Sequence, residues 1–140
     1  QFIKQNVPEA INKKWVTLHC VDNTINNNSR GANIDDYNLS IRYLIDNGFH
    51  VFRIGDKSMP KCKEIAGLTD IAHIDHDRSL DLYLIQNVEF HIGVQSGPNW
   101  IAHLFNKDVL STNVVDWSTA IPRKNNNFYL WRKSRVNNYY

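Results

Sequence analysis

The sequence predicts an α/β fold: a Rossmann-like parallel sheet of about five to six strands with helices on both faces. Short apolar runs alternate with amphipathic helical segments along most of the 140 residues, as expected for strands joined by crossover helices. The chain is long enough for one domain with a single core. Its hydrophobic content of 42% and charged content of 21% are those of a globular protein.

The predicted strands are short runs rich in β-branched and large apolar residues. In chain order they are Trp15–Val21, Phe49–Ile54, Asp70–Ile74, Val88–Val94, Val109–Thr112 and Phe128–Trp131. The first helix is predicted over Ile34–Asn47, where Asn33 can cap the amino end and Gly48 can end it. A further helix is predicted over Ser79–Asn87, capped by Asp77 or by Ser79 itself.

The stretch Phe90–Phe105 predicts a strand, a tight turn and a helix. Its apolar start is typical of a buried strand, and apolar residues at helical spacing resume after Pro98. Gly97 can adopt backbone angles closed to other residues, and Pro98 suits the first turn of a helix because it has no N–H. The N–H groups of Ser96, Gly97 and Asn99 would then meet at a helix amino terminus, which attracts anions. An ordinary turn without a ligand is the alternative.

Charge and composition argue against several classes of partner. The formal net charge is +2, and no run of Lys or Arg exceeds two residues, so we expect no nucleic acid partner. Cys20 and Cys62 lie far apart without a C-x-x-C pair, which favours a reducing, cytoplasmic location. No apolar segment approaches the roughly 18 residues of a membrane span, so no transmembrane segment is expected. Because the chain starts at Gln1 rather than Met, we expect residues 1–140 to be one domain and a piece of a longer protein.

Polar residues follow the first two predicted strands, at the edge where parallel sheets bind ligands. The loop from Asp22 to Asn33 is long for a strand–helix connection, and Arg30 lies near its end. At the end of the second strand, Arg53 could reach a phosphate while Asp56 and Ser58 face the cleft. A structural ion pair and an Asx turn explain the same residues equally well.

Histidines are frequent in the sequence but do not form a recognisable metal motif. The six are His19, His50, His73, His76, His91 and His103. The segment His73–Asp77 has no second ligand group at zinc spacing, so no metal site is predicted. His19 and His91 lie in predicted strands, where a histidine either makes a core hydrogen bond or contacts a ligand. The motifs G-x-S-x-G, G-x-x-x-x-G-K-S and G-x-G-x-x-G are absent, which leaves the commonest hydrolase, NTPase and dehydrogenase functions unsupported.

Several blocks between Trp15 and Trp117 resemble one family in their order and spacing. They are Leu18-His19, Arg30-Gly31-Ala32-Asn33-Ile34, Tyr37 with Ile41-Arg42-Tyr43, Arg53-x-Gly55-Asp56-x-Ser58-Met59, Asp70-x-Ala72-His73 and Gly93-x-x-Ser96-Gly97. On these blocks the chain resembles the carboxyl-terminal, donor-binding half of GT-B fold glycosyltransferases, in particular an uncharacterised bacterial group. The Ser96-Gly97-Pro98 turn, with Ala102 and Asp108-Val109-Leu110, is also similar to the pattern of heptosyltransferases.

The resemblance implies a domain that binds a nucleotide-sugar donor, with the diphosphate near Ser96 and Gly97 and without a metal or other cofactor. The resemblance and the residue patterns together point to ten substrate-binding residues: His19, Arg30, Arg53, Gly55, Asp56, Ser58, His73, Ser96, Gly97 and Asn99. A missing amino-terminal domain would bind a glycan or lipid-linked acceptor and supply the catalytic base, which stays unassigned. Related first strands commonly run His-x-Arg, whereas this chain has Val21 at the third position. Arg30 or Arg53 would have to replace that cation.

Two other functions fit the same fold. One is a non-catalytic module that binds a nucleotide, another phosphorylated ligand or a partner protein; the absent arginine favours it. The other is an enzyme similar to a sugar-nucleotide epimerase, which needs an acid and a base across the cleft. Asp56 with Asp70 or Asp75 is the candidate pair, and a strongly raised carboxyl pKa would favour that function.

Overall fold

The computed structural model describes residues 1–22, 29–116 and 126–133. The strands are β1 (Lys14–His19), β2 (Phe49–Ile54), β3 (Leu68–Asp70), β4 (Phe90–Val94), β5 (Asp108–Val114) and β6 (Phe128–Trp131). The α-helices are α1 (Phe2–Asn6), α2 (Asn38–Asp46), α3 (Ser79–Asn87) and α4 (Gly97–Leu104), with 3₁₀ turns at Pro8–Ala10, Ile34–Tyr37 and Ile71–His73. Positions 23–28 of the predicted polar loop lie outside the described residues.

The strands form one parallel sheet in the order β3-β2-β1-β4-β5-β6. The predicted Rossmann-like α/β fold is therefore confirmed. At the centre of the sheet, His19 of β1 lies opposite Ile54 of β2 on one side and Gly93 of β4 on the other. From β1 the chain extends the sheet to β2 and β3 and then returns to β4 on the opposite side. The strand order thus reverses between β1 and β4, which makes this position a topological switch point.

Helices pack on both faces of the sheet, and side chains alternate between the two along each strand. On one face, Val16, Leu18 and Val51 pack with Ile41 and Leu44 of α2. The other face carries α1, α3 and α4, and its buried residues include Ile3, Phe52, Ile54, Leu84, Ile85, Ala102 and Val109. Because successive residues alternate, Thr17 and His19 face the α3–α4 side, whereas Arg53 shares the α2 side with Val51.

The capping signals of the first predicted helix are confirmed. The side-chain oxygen of Asn33 accepts a hydrogen bond from the N–H of Asp35 at 3.0 Å. Gly48, with a φ of +85°, follows the end of α2 in a conformation that suits glycine. The first turn is a 3₁₀ turn over Ile34–Tyr37, and the α-helix proper begins at Asn38. The predicted elements at Phe49–Ile54, Ser79–Asn87 and Phe128–Trp131 have the observed bounds.

The third strand differs from its prediction. The sequence pattern predicts a strand over Asp70–Ile74, whereas β3 ends at Asp70 and the chain turns into the 3₁₀ segment Ile71–His73. The carboxylate of Asp70 accepts hydrogen bonds from Arg53 and from the N–H of Cys62. These bonds fix Asp70 at the edge of the sheet, and the N–H of Ile74 closes the turn onto the carbonyl oxygen of Ile71. Two buried apolar residues, Ile71 and Ala72, occupy the positions that the strand pattern assigned to β3.

Cys20 and Cys62 are both buried and unpaired. Burial raises the pKa of the Cys20 thiol to about 11 and that of Cys62 to about 12, so both stay protonated at neutral pH. In the described part of the chain, no helix has the length and apolar character needed to cross a membrane.

Candidate functional site at the carboxyl edge of the sheet

The switch point brings two predicted site residues together. The connection after β1 leads to α2 on one face of the sheet, and β4 leads directly to α4 on the other face. His19 is the last residue of β1, two residues before the predicted end of that strand, and Ser96 is the second residue after β4. The hydroxyl oxygen of Ser96 lies 2.9 Å from Nδ1 of His19. Ligands of open α/β sheets bind in the crevice at such a position.

The hydrogen bonds of Ser96 indicate the tautomer of the His19 ring, and the burial of the ring keeps it neutral. The Ser96 hydroxyl also lies 3.0 Å from the carbonyl oxygen of Val94. In this pair the hydroxyl is the donor, because a carbonyl oxygen can only accept. With its hydrogen directed there, the hydroxyl oxygen accepts from Nδ1–H of His19, and Nε2 keeps a lone pair. Burial, with a smaller effect from the positive charge of Arg53, lowers the pKa of His19 to about 4. His19 is therefore neutral at pH 7, with Nε2 able to accept a proton or a hydrogen bond.

The amino terminus of α4 is open to a ligand. Ser96 is the residue that precedes the helix, and its side chain makes no capping bond because it is directed to His19 and Val94. The N–H groups of Gly97 and Asn99 lie in the first turn, where a helix provides no internal acceptor. Gly97 is exposed, and apart from its two neighbours in the chain and the backbone of α4, no atom of the described residues lies within 4 Å of the position of a Cβ there. Free space and unpaired donors at this end suit an anion.

Gly97 does not use the conformational freedom that the sequence allows it. Its φ lies outside the positive range seen at Gly48, Gly55 and Gly67. A side chain at Gly97 is therefore compatible with the fold. The glycine leaves the helix terminus uncovered rather than permitting a strained turn.

Asn99 is part of a buried polar network beneath that terminus. Its Oδ1 lies 3.1 Å from Nε2 of His91, and its Nδ2 donates to the hydroxyl of Ser111 at 3.1 Å. Nδ1 of His91 lies 2.9 Å from the hydroxyl of Thr17. Burial lowers the pKa of His91 to about 3, so this ring is neutral as well. His91 is thus a hydrogen-bonded core residue, and Asn99 can offer a ligand its backbone N–H but not its side chain.

Gly93 is needed for this network. A Cβ at Gly93 would lie 2.5 Å from Oδ1 of Asn99 and 2.7 Å from Nε2 of His91. The absence of a side chain lets Asn99 reach β4 and hold the amino terminus of α4 against β4 and β5. In the sequence, Gly93 stands out only as part of a family block, and this contact gives it a structural role.

A cavity of about 470 Å³ opens beside His19, between α3 and α4. His19 and Ile54 lie at the strand ends, and Ile85 of α3 and Pro98 and Ile101 of α4 form opposite walls. Gly55, Asp56 and Met59 from the turn after β2 complete the rim. The volume lies in the range of small-molecule sites, which combine apolar walls with a few polar groups. Because the ring of His19 lines the cavity and bonds to Ser96, the cavity adjoins the open end of α4.

Arg78 lies at the rim of this cavity and was not identified in the sequence analysis. It immediately precedes α3, and its guanidinium reaches the turn after β2. Nη1 donates to the carbonyl oxygen of Gly55 at 3.0 Å, and Nη2 donates to Oδ2 of Asp56 at 2.8 Å. The one available sequence signal was the polar turn His76-Asp77-Arg78 at the start of a helix that follows the third strand.

Asp56 and Ser58 form the Asx turn that the sequence analysis kept as an alternative. The N–H of Ser58 donates to Oδ1 of Asp56 at 2.9 Å. Hydrogen bonds from Ser58 and then from Arg78 hold the pKa of Asp56 below its usual value. An ion pair with Lys57 lowers the pKa of Asp75. Both shifts are opposite to the raised carboxyl pKa that an epimerase-like acid would need.

Arg53 and His73 are directed away from the cavity. The side chain of Arg53 is 1% exposed; its Nη1 pairs with Asp70 at 3.0 Å and its Nη2 donates to the carbonyl oxygen of Pro60. Because Ile54 faces the cavity, Arg53 one residue earlier must face the other side of the sheet. Of the two alternatives for Arg53, the structure shows the ion pair. Nε2 of His73 lies 2.9 Å from the carbonyl oxygen of Met59, which holds the turn after β2.

Arg30 lines a second cavity at the α4 terminus. It is exposed, and this smaller cavity of about 140 Å³ is also lined by Ser96, Gly97, Trp100 and His103. Each of the two cavities at the start of α4 therefore has an arginine in its lining, Arg30 in this cavity and Arg78 in the larger one. Within the described ranges, no group of three or more His, Cys, Asp or Glu side chains could hold a metal ion.

The structure thus gathers His19, Ser96, Gly97 and the N–H of Asn99 at the switch point, with Gly55, Asp56 and Arg30 around it. In comparisons with known proteins, the chain matches no family model, no curated protein and no solved structure.

Proposed function

We propose that this chain binds the diphosphate of a nucleotide-sugar donor at the switch point between β1 and β4. The observation that carries the proposal is the meeting of neutral His19 with Ser96 at the uncovered amino terminus of α4. The N–H groups of Gly97 and Asn99 donate to phosphate oxygens, and the partial positive charge of the helix terminus favours the anion.

The activity we propose is metal-independent glycosyl transfer, with this chain as the donor-binding part. When the sugar leaves the nucleotide, negative charge grows on the diphosphate, and N–H donors with nearby arginines stabilise that charge without a metal. Arg30 and Arg78 are the cations that we propose for this role, because each lines a cavity that adjoins α4. The resemblance to the donor-binding half of GT-B glycosyltransferases supports the same assignment. We propose a glycan or lipid-linked acceptor, bound by a further domain that positions it against the donor.

A non-catalytic nucleotide-binding module is the second candidate, and the region after β1 favours it. Val21 occupies the position where related first strands have an arginine, and it packs against the core. Arg53 cannot replace that cation, because it is buried in its pair with Asp70. Assays of sugar release and transfer by the full-length parent protein distinguish the two candidates. Transfer supports the glycosyltransferase, whereas tight binding without transfer supports the module.

Calorimetric titration with ADP, GDP, CDP and UDP and with the four matching nucleosides tests the shared binding claim. At least one diphosphate should bind more tightly than its nucleoside. Gly97→Val should weaken diphosphate binding roughly tenfold or more, since it blocks charge-assisted donors. The same substitution should change the free energy of unfolding by only about 0.5 kcal/mol, because the site is exposed and open.

The matched control is Leu104→Val at the opposite end of α4, where Leu104 is 80% exposed. This variant adds a β-branched residue to the same helix and should leave diphosphate affinity unchanged. Equal weak binding of diphosphates and nucleosides, unaltered by Gly97→Val in a folded protein, would show that the turn binds no anion.

A further inference from the structure

Arg78 is held at the rim of the α3–α4 cavity by groups on two elements. Its Nη1 donates to the carbonyl oxygen of Gly55 at 3.0 Å and lies 3.5 Å from Oδ2 of Asp81 in α3. Its Nη2 lies 2.8 Å from Oδ2 of Asp56. Among the described residues that line this cavity, Arg78 is the only cation. Its position is therefore set by Gly55 and Asp81, while one of its two terminal nitrogens is engaged by Asp56.

Asp56 has an anchor that does not depend on Arg78. The N–H of Ser58 donates to Oδ1 of Asp56, whereas Arg78 contacts Oδ2. Loss of the arginine contact would leave Asp56 in its Asx turn with solvent at Oδ2, because the Asp56 side chain is 52% exposed. The carboxylate can thus release the guanidinium without becoming a buried, unpaired charge.

The geometry allows another anion to replace the carboxylate of Asp56 as the partner of the Arg78 guanidinium. The Arg78 side chain is 66% exposed, and exposed ion pairs contribute little to stability. A phosphate accepts two parallel N–H donors from a guanidinium and carries more charge than one carboxylate. The walls of the cavity include the apolar side chains of Ile54, Ile85 and Ile101, which do not compete for the guanidinium.

We propose that Arg78 is the phosphate-binding cation of this cavity and that Asp56 is its internal counter-ion, displaced when a phosphorylated ligand binds. The inference rests on the proposed function, which it deepens by naming the cation and its competitor. The phosphates lie between Arg78 and the N–H groups at the start of α4, and the apolar cavity beside His19 receives the group that they carry.

The two members of the pair should affect affinity in opposite directions. Arg78→Gln should weaken binding of the tightest diphosphate and of inorganic pyrophosphate roughly tenfold or more, with nucleoside affinity unchanged. Asp56→Asn should tighten diphosphate binding roughly two- to fivefold, since it removes a competing anion from an exposed pair. Asparagine retains the oxygen that accepts from Ser58, so the turn is preserved.

The neighbouring pair Lys57–Asp75 supplies matched controls. The Lys57–Asp75 contact of 3.0 Å is close in length to the 2.8 Å contact between Arg78 and Asp56, and its side chains are also exposed, but neither residue lines the cavity. Lys57→Gln and Asp75→Asn make the same changes in net charge and should leave both affinities within twofold of the wild type. Circular dichroism and thermal unfolding verify that all four variants are folded.

Each outcome has one interpretation. The inference is supported if Arg78→Gln weakens diphosphate binding, Asp56→Asn tightens it, and the two control variants leave it unchanged. Tight diphosphate binding that neither substitution changes overturns the inference and leaves the proposed function standing. If Lys57→Gln and Asp75→Asn change diphosphate affinity as much as Arg78→Gln and Asp56→Asn do, only the net charge matters, which also overturns the inference. If the wild type binds no diphosphate and no pyrophosphate, the proposed function fails and the inference fails with it.

Discussion

Mild acid should destabilise this protein through the two histidines of the switch-point region. Burial lowers the pKa of His19 to about 4 and that of His91 to about 3, whereas a histidine in the unfolded chain titrates near 6.5. The positive charge of Arg53 adds a smaller contribution to the lowered pKa of His19. Between pH 6.5 and 4 the unfolded chain therefore binds protons that the folded chain does not, and stability falls as the pH falls.

The size of the effect follows from the two pKa values. At pH 5 an unfolded histidine is 1.5 pH units below its pKa, while the folded ring is still neutral; at 1.36 kcal/mol per unit this is about 2 kcal/mol per histidine. His19 and His91 together should lower the free energy of unfolding by about 4 kcal/mol between pH 7 and pH 5, a large share of the 5–15 kcal/mol typical of a domain. His50, whose pKa burial also lowers to about 4, acts in the same direction.

Urea denaturation followed by circular dichroism at pH 7, 6 and 5 measures this change. The variant His91→Gln keeps a hydrogen-bonding side chain but cannot titrate, so its loss between pH 7 and pH 5 should be smaller by about 2 kcal/mol. Because the comparison uses each protein's own change in the free energy of unfolding between pH 7 and pH 5, a lower stability of the variant at pH 7 does not affect it. The reasoning is refuted if stability is constant from pH 7 to 5, or if NMR shows His19 and His91 titrating near 6.5.

Two further predictions concern the support of the site. Gly93→Ala should lower stability by about 1–3 kcal/mol, because its Cβ would overlap Oδ1 of Asn99 at 2.5 Å; an unchanged urea midpoint would contradict this packing. Asp70→Ala should cost about 3–5 kcal/mol, because it leaves the buried guanidinium of Arg53 unpaired. The double variant with Arg53→Leu should recover much of that loss in the same assay, and a double variant no more stable than Asp70→Ala would argue against the ion pair.

The sequence was sufficient for the fold, but not for the contact between His19 and Ser96. Apolar strands that alternate with capped helices leave few topologies other than a parallel sheet. In such a sheet the carboxyl ends of the strands share one edge, which predicts that His19 and Ser96 lie at the same edge. Their contact across 77 positions also requires β1 and β4 to be neighbours. The order of the strands, and with it the switch point, comes from the packing of whole elements.

The sequence was not sufficient for the arginines. Arg53 could have faced either side of β2, and the burial of Ile54 on the cavity side decided its direction. Arg78 contacts Asp56 across 22 positions, from the start of α3 to the turn after β2. No local pattern encodes that contact, since it depends on how the crossover from β3 places the start of α3 beside the turn after β2. At Gly97, a glycine and a proline predict a turn equally well with or without a positive φ.

The central claim is that the amino terminus of α4 binds a diphosphate, and a ¹⁵N NMR titration of the whole chain tests it most directly. ADP, GDP, CDP and UDP would be added in turn, each compared with its nucleoside. The account predicts that at least one diphosphate shifts the backbone amide signals of Ser96, Gly97 and Asn99 saturably, while its nucleoside leaves them in place. Signals that do not move with any diphosphate, or that move equally with the nucleosides, would contradict it.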